Sequence, residues 1–232
     1  MNEPIVPPLN DALGLFPLPN AVLLPGATLP LHIHEPRYRQ LVSDAMEDNA
    51  LMAMAFLLPG YEPFYHTLLA RIHPVVCVGL IRDCFRTGDG RYFINLVGIC
   101  RARVLDEDRS GEYRRAWLEA ITPEKSALDQ DAEFAAAQLC RQMLYLPVFD
   151  GIEAVHKLRR MCGNSLSLEQ LVDLLAAALL PADAVEIRQL ILGETRILQR
   201  AEILITELQA LARTLQAQKA QREAAAQGGS MN

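Results

Sequence analysis

Residues 32 to 38 read HIHEPRY, which places two imidazoles one residue apart with a carboxylate directly after them. On an extended strand, residues i and i+2 share a face, so His32 and His34 stand side by side as a pair of metal ligands would. A transition-metal centre needs a third ligand and usually a fourth. The remaining histidines, His66, His73 and His156, have no companion at ligand spacing, and Glu35 falls on the opposite face if the strand runs through it. The stretch therefore reads as architecture, the end of a strand followed by the first turn of a helix. No metal and no cofactor is expected. A metal-dependent hydrolase built on the His32/His34 pair is the weakest of the functional alternatives.

Other chemistries lack their parts. There is no GxSxG elbow, no SxxK pair and no HExxH helix, and neither Ser110 nor Cys77 has an activating neighbour in sequence. None of the three lysines, Lys125, Lys157 and Lys219, follows a glycine, so no phosphate-binding Walker loop exists, and no GxGxxG follows a strand. Arg82, Arg86, Arg91, Arg101 and Arg103 are interleaved with Asp83, Asp89, Asp106, Glu107 and Asp108, which reads as a solvated, charge-balanced sheet edge. The net charge of −6 likewise disfavours nucleic acid as a partner.

The elements that must carry these residues fall into two halves. Up to residue 122 the pattern is strand-like. TLPLHIH (28–34) alternates cleanly, with Leu29, Leu31 and Ile33 on one face and both histidines on the other. Further strands are expected over 13–18, 51–57, 74–85, 91–105, bent near Gly98, and 113–122. TGDGR (87–91) supplies hairpin chemistry between two of them. One helix interrupts the series. Tyr38, Leu41, Val42, Ala45 and Met46 recur at helical spacing, Pro36 suits the first helical position, and Asn49 is expected as the C-terminal cap.

From residue 123 to 222 the period is helical throughout, and 223–232 is expected to be a disordered tail. Leu128, Ala132, Ala135, Leu139, Met143 and Leu146 make one stripe; Ile152, Val155, Leu158 and Cys162 make a shorter one. Ser167 followed three residues later by Gln170 is a capping box opening a helix that Pro181 stops. The last helix, broken near Gly193, carries Ile197, Ala201, Leu204, Leu208, Leu211 and Leu215, with Leu198, Ile205 and Ala212 beside them; a face that wide suits a bundle.

The chain has 232 residues, 51% of them hydrophobic and 22% charged, as in ordinary globular proteins. Its longest apolar run, LVDLLAAALL, is too short to cross a bilayer. The N-terminal segment has no basic residue before Arg37 and so lacks the start of an export signal. The five cysteines, at 77, 84, 100, 140 and 162, form neither a disulfide framework nor a zinc-ligand spacing. Together these point to the cytoplasm and to no membrane partner. Oligomeric state is left open.

The run LFPLPNAVLLPGATLPLHIHEPRYRQLVSDAM (15–46) resembles the opening of the Lon protease N-terminal, or substrate-binding, domain family. GDGRYFINLVGICRARV (88–104) resembles the family's glycine hairpin and following strand. LVDLLAAALL and RQLILGETRILQRAEILITEL resemble its helical part more loosely. The resemblance implies an α+β fold, a PUA-like antiparallel β pseudo-barrel followed by a helical bundle. It also implies a role in holding polypeptides rather than cutting them, since the ATPase and peptidase domains of the full proteases have no counterpart here. His34 stands where the family usually has an aromatic residue, so its geometry does not ask for imidazole there. The expected activity is non-enzymatic binding of exposed apolar or unfolded segments, in a cleft between barrel and bundle. His34, Glu35, Arg37 and Tyr38 are the candidate substrate-binding residues: Arg37 as a donor to backbone carbonyls, Tyr38 as an aromatic wall, Glu35 as the partner of Arg37. Arg37, Tyr38 and Glu35 equally suit a purely structural corner. The alternative function is an adaptor that docks on one protein partner through the helical half.

Overall fold

Among the described residues, six strands and six α-helices follow one another: β1 (Leu13–Leu18), β2 (Thr28–Ile33), α1 (Pro36–Glu47), β3 (Leu51–Phe56), β4 (Val75–Arg86), β5 (Tyr92–Asp108), β6 (Arg115–Ala120), α2 (Gln130–Leu144), α3 (Glu153–Met161), α4 (Leu168–Leu179), α5 (Val185–Gly193) and α6 (Ile197–Gly228). The computed structural model describes residues 9–122, 129–161 and 166–228. Leu128 and Cys162, expected on helical stripes, lie outside the described residues. The chain divides into two compact units, Met1–Glu124 with Ala182–Thr195, and Lys125–Pro181 with Arg196–Asn232.

In the first unit the sheet order is β2-β5-β4-β3-β1-β6, and β5 also pairs with β6, which closes five strands into a ring and leaves β2 outside it. The length of β5 makes this possible. Its first part, Tyr92–Val97, pairs with β2; its last part, Ala102–Asp108, pairs with β6; β4 lies along its other side through most of its length. The turnover falls at Gly98, where the bend was expected. A Cβ at Gly98 would sit 2.2 Å from the Leu24 carbonyl oxygen, and its cross-strand partner Gly79 lies under the Leu96 and Leu23 side chains. This glycine pair lets the segment before β2 cross the sheet. The Gly26 N–H donates to the Gly98 carbonyl and the Gly98 N–H to the Ala27 carbonyl, both at 2.9 Å.

A five-stranded ring is narrow, so its interior takes small side chains. Ala53, Ala55, Val76, Val78, Cys100, Ala102 and Ala116 fill it with Leu13, Leu15, Leu51 and Leu118. α1 covers the outside, with Tyr38, Leu41 and Val42 buried, the Leu41 side chain over Gly14 and Tyr38 edge-on to Phe16.

One expectation is met with an exception, and three change. The strands were expected to be mostly antiparallel, and all pairs are except β1 with β3, which is parallel because the connection between them passes through β2 and α1 rather than a tight turn. α1 ends at Glu47 with Asp48 as its cap, and Ala50, at φ 59°, makes the left-handed turn; Asn49 instead accepts the Leu51 N–H on its side chain at 2.9 Å. Arg101, read as part of a solvated edge, is buried and donates from Nε to the Leu192 carbonyl at 3.1 Å. α5, expected with the bundle, belongs to the strand-rich unit, where Gln189 Nε2 donates to the Val75 carbonyl at 3.0 Å.

The second unit packs α2, α4 and α6 about Ala137, Cys140, Leu144, Leu171, Leu175, Leu204 and Leu208, with α3 against α4. The capping box is complete: the Gln170 N–H donates to Ser167 Oγ and the Ser167 N–H to Gln170 Oε1. α2 is rotated from expectation. Ala135 and Leu139 are exposed, because the Ala137, Cys140 and Leu144 stripe faces the interior instead. α6 remains helical to Gly228, past residue 223 where a disordered tail was expected, since its Ala- and Gln-rich end has high intrinsic helix propensity.

Candidate functional site

Strand β2 ends at buried Ile33, and the extended backbone of Glu35 (φ −67°, ψ 134°) turns the chain into α1 with Pro36 at its start. Glu35 makes no side-chain cap; its carboxylate turns instead to Arg37. Arg37 Nε donates to Glu35 Oε2 at 3.0 Å, Nη2 to the Tyr65 carbonyl at 2.9 Å and Nη1 to the Thr67 carbonyl at 3.1 Å. The guanidinium carbon also lies 4.4 Å from the Tyr38 ring centroid and 5.8 Å from that of Tyr65. Tyr38 is buried, and desolvation holds its phenol far above the usual range. Burial also raises Tyr65, with the Glu35 carboxylate adding to the effect.

Of the four residues expected to bind substrate, Glu35, Arg37 and Tyr38 thus come together with their polar and aromatic groups turned inward on this chain's own segments. Arg37 donates to backbone carbonyls, and these are the carbonyls of Tyr65 and Thr67. Its effect outside the corner is to hold the 61–69 segment, which presents Phe64 and Leu69 to solvent. His34 stays exposed, with its ring centroid 5.8 Å from that of His32.

The outer face of the neighbouring sheet carries a surface that the reading of motifs missed. His32 of β2 lies opposite Phe93 of β5, and Phe93 lies opposite Phe85 of β4, so the three form one row across three strands. The His32 and Phe93 rings stack with centroids 4.5 Å apart and planes 10° apart. Phe93 is 50% and Phe85 66% exposed. The next row on this face is Pro30, Asn95 and Asp83, with Asn95 Nδ2 donating to Asp83 Oδ2 at 2.9 Å. A signal for the aromatic row was present. A hairpin centred on Asp89 pairs positions whose numbers sum to 178, which puts Phe85 opposite Phe93. The turn forms as expected, with Gly90 at φ 82° and the Thr87 N–H donating to the Arg91 carbonyl.

Burial pushes the Cys84 thiol up, Cys100 up to about 11 and Cys140 up to about 12, so none of the three is poised as a thiolate. Among the described residues, no three His, Cys, Asp or Glu side chains converge as a metal-ligand set. No helix among them is long and apolar enough to cross a membrane.

A sheet closed through β5, wrapped by α1 and followed by helices, defines an α+β protein with an exposed aromatic face. The model of the ATP-dependent protease La (LON) substrate-binding domain matches residues 12–210, and the chain belongs to that family. It is 30% identical over 131 residues to Lon protease 2 of Syntrophobacter fumaroxidans and 25% identical over 127 residues to Lon protease of Anaeromyxobacter dehalogenans, stretches that make up 56% and 55% of this chain. They are only 16% and 15% of those proteins, so the chain spans about a sixth of the length of the curated relatives it matches. Two solved structures share the fold. The Lon N-terminal domain protein from Xanthomonas campestris superposes with a TM-score of 0.57 at 23% identity, over 84% of this chain and 98% of that one. The N-terminal domain of Mycobacterium avium complex Lon protease superposes with a TM-score of 0.63 at 20% identity, over 86% and 98%.

Proposed function

We propose that this chain is a non-catalytic polypeptide-binding module that captures exposed apolar segments of other proteins on the face bearing His32, Phe85 and Phe93. The observation that carries the reading is the aromatic row itself, on a member of a substrate-binding family. Large apolar side chains gathered on a surface mark an interaction site, and aromatic side chains contribute much of the energy in such contacts. The wide spacing of the cysteines and the absence of a disulfide at Cys84, Cys100 and Cys140 suit a reducing compartment, the cytoplasm.

The test is fluorescence anisotropy with reduced, carboxymethylated α-lactalbumin, a chain that stays unfolded in water. Binding by the parent protein, weakened about tenfold by F85S and by F93S with thermal stability retained, supports the reading. No binding by the parent, or full binding by both variants, overturns it.

A second reading, an adaptor docked on one protein through the helical unit, is favoured by a different surface. Phe134 and Tyr145 of the α2 segment, 64% and 62% exposed, are three helical turns apart on the same side. F134S and Y145S should then release a specific partner captured by crosslinking, whereas F85S and F93S should not.

A further inference from the structure

We propose that β2 is a docking edge, and that the polypeptide bound by this face adds to it as an extended strand, in register with the aromatic row. The inference rests on the polypeptide-binding reading above and specifies its geometry. β2 pairs only with β5 among the described strands and stands at the open end of the sheet order. The Gly98 N–H donates to the Ala27 carbonyl, and Ala27 immediately precedes the uninterrupted register from Thr28↔Val97 to Ile33↔Tyr92. In an antiparallel ladder, hydrogen-bonded and non-hydrogen-bonded pairs alternate. Leu29, Leu31 and Ile33 therefore direct their backbone groups to β5, while Thr28, Pro30 and His32 direct theirs to the open edge. Each of those three residues is exposed, and no hydrogen bond outside the strand ladder reaches them among the described residues.

The edge dictates the chemistry of its occupant. It offers the N–H and C=O of Thr28 and His32 and the C=O of Pro30, a spacing that an extended main chain complements. A helical ligand does not, because its own backbone groups are already paired. Pro30 sits where a strand tolerates proline, with its missing donor on the free side, and so limits the edge without closing it. A ligand residue opposite His32 would prolong the Phe85–Phe93–His32 row, which favours an aromatic or large apolar side chain there. Its alternate neighbours would fall beside half-buried Leu29 and Leu31, which favours apolar ones. The residue opposite Pro30 would continue the row through Asn95 and Asp83, which favours a polar one.

The experiment uses the tightest-binding peptide from an array of overlapping segments of carboxymethylated α-lactalbumin, N-methylated at one backbone position at a time. Strand addition predicts a period of two: methylation at alternate positions weakens binding roughly tenfold, and methylation between them changes it less than about twofold. Pro30→Ala, which restores an outward donor without touching the ladder to β5, should tighten binding about threefold. If the unmodified peptide binds and the scan shows no alternation, the docking edge is wrong while polypeptide binding stands. If no peptide binds, both fail.

Discussion

The corner at residues 35–38 follows directly on β2, whose His32 begins the row His32–Phe93–Phe85, yet corner and row spend their side chains in opposite ways. At the corner, a guanidinium, a carboxylate and a phenol ring are consumed internally: Arg37 alone ties Glu35, Tyr65 and Thr67. On the row, large rings face solvent, and only His32 and Phe93 stack on one another. Charged groups that look functional in a sequence are the ones a fold recruits to fix a difficult turn, because leaving them buried and unpaired is costly. Exposed aromatics satisfy no such internal demand, and here Phe85 and Phe93 remain open to solvent. Substitutions can break this contrast by showing binding to depend on the corner directly, or sharpen it by separating stability from binding.

The largest effect is expected at Gly98, on which both regions depend, since the segment that delivers β2 crosses β5 there. A methyl group 2.2 Å from the Leu24 carbonyl oxygen cannot be relieved by a side-chain rotation, because the obstacle is backbone. Gly98→Ala should destabilise the protein by about 3 kcal/mol or prevent folding, read by urea denaturation. Next comes Arg37→Ala. Losing the bonds to the Tyr65 and Thr67 carbonyls and stranding Glu35 should remove about 2–3 kcal/mol. Peptide affinity per folded molecule should change less than about twofold at a temperature where the variant is folded. A normal melting curve with binding abolished would instead make Arg37 a contact residue. Phe93→Ser should show the reverse pattern: stability within about 1 kcal/mol of the parent and binding about tenfold weaker.

The sequence carried more of the fold than of the site. Alternation in 28–34, the glycine hairpin, the Pro36 helix start and the Ser167/Gln170 box are local patterns, and each formed where expected. What was illegible was partnership across distance. Nothing near Leu15 says that it pairs in parallel with Ala53, and nothing near Arg101 says that a carbonyl ninety-one residues away, at Leu192, will bury it. The aromatic row falls between these cases. The pairing of Phe85 with Phe93 follows from the turn alone, but the stack on His32 requires knowing that β2 joins β5, which only the closed topology supplies. The motif HIHE stands out for its ligand-like spacing, whereas the structural weight of its exposed face lies in the neighbours that β5 sets beside it.

A second histidine–phenylalanine stack gives the finest test of how burial separates structure from surface. His73 lies on Phe56 with centroids 5.3 Å apart and planes 18° apart, an arrangement close to that of His32 on Phe93, but Phe56 is a core residue. Desolvation lowers the His73 pKa, only partly offset by the Glu186 carboxylate. A histidine whose folded pKa lies below its unfolded value binds more protons when unfolded. Its neutral form therefore contributes stability that is fully present above about pH 6.5 and is lost as the pH falls through the folded value. His73→Gln removes that titration, so the fall in Tm between neutral and mildly acidic buffer should be smaller in the variant than in the parent. The effect is expected to be the smallest of the series, since His73 is only part-buried and its shift is partly screened. An identical fall in both proteins would mean that stacking on a buried ring does not by itself couple this imidazole to folding, and the contrast between the two stacks would then rest on exposure to partners alone.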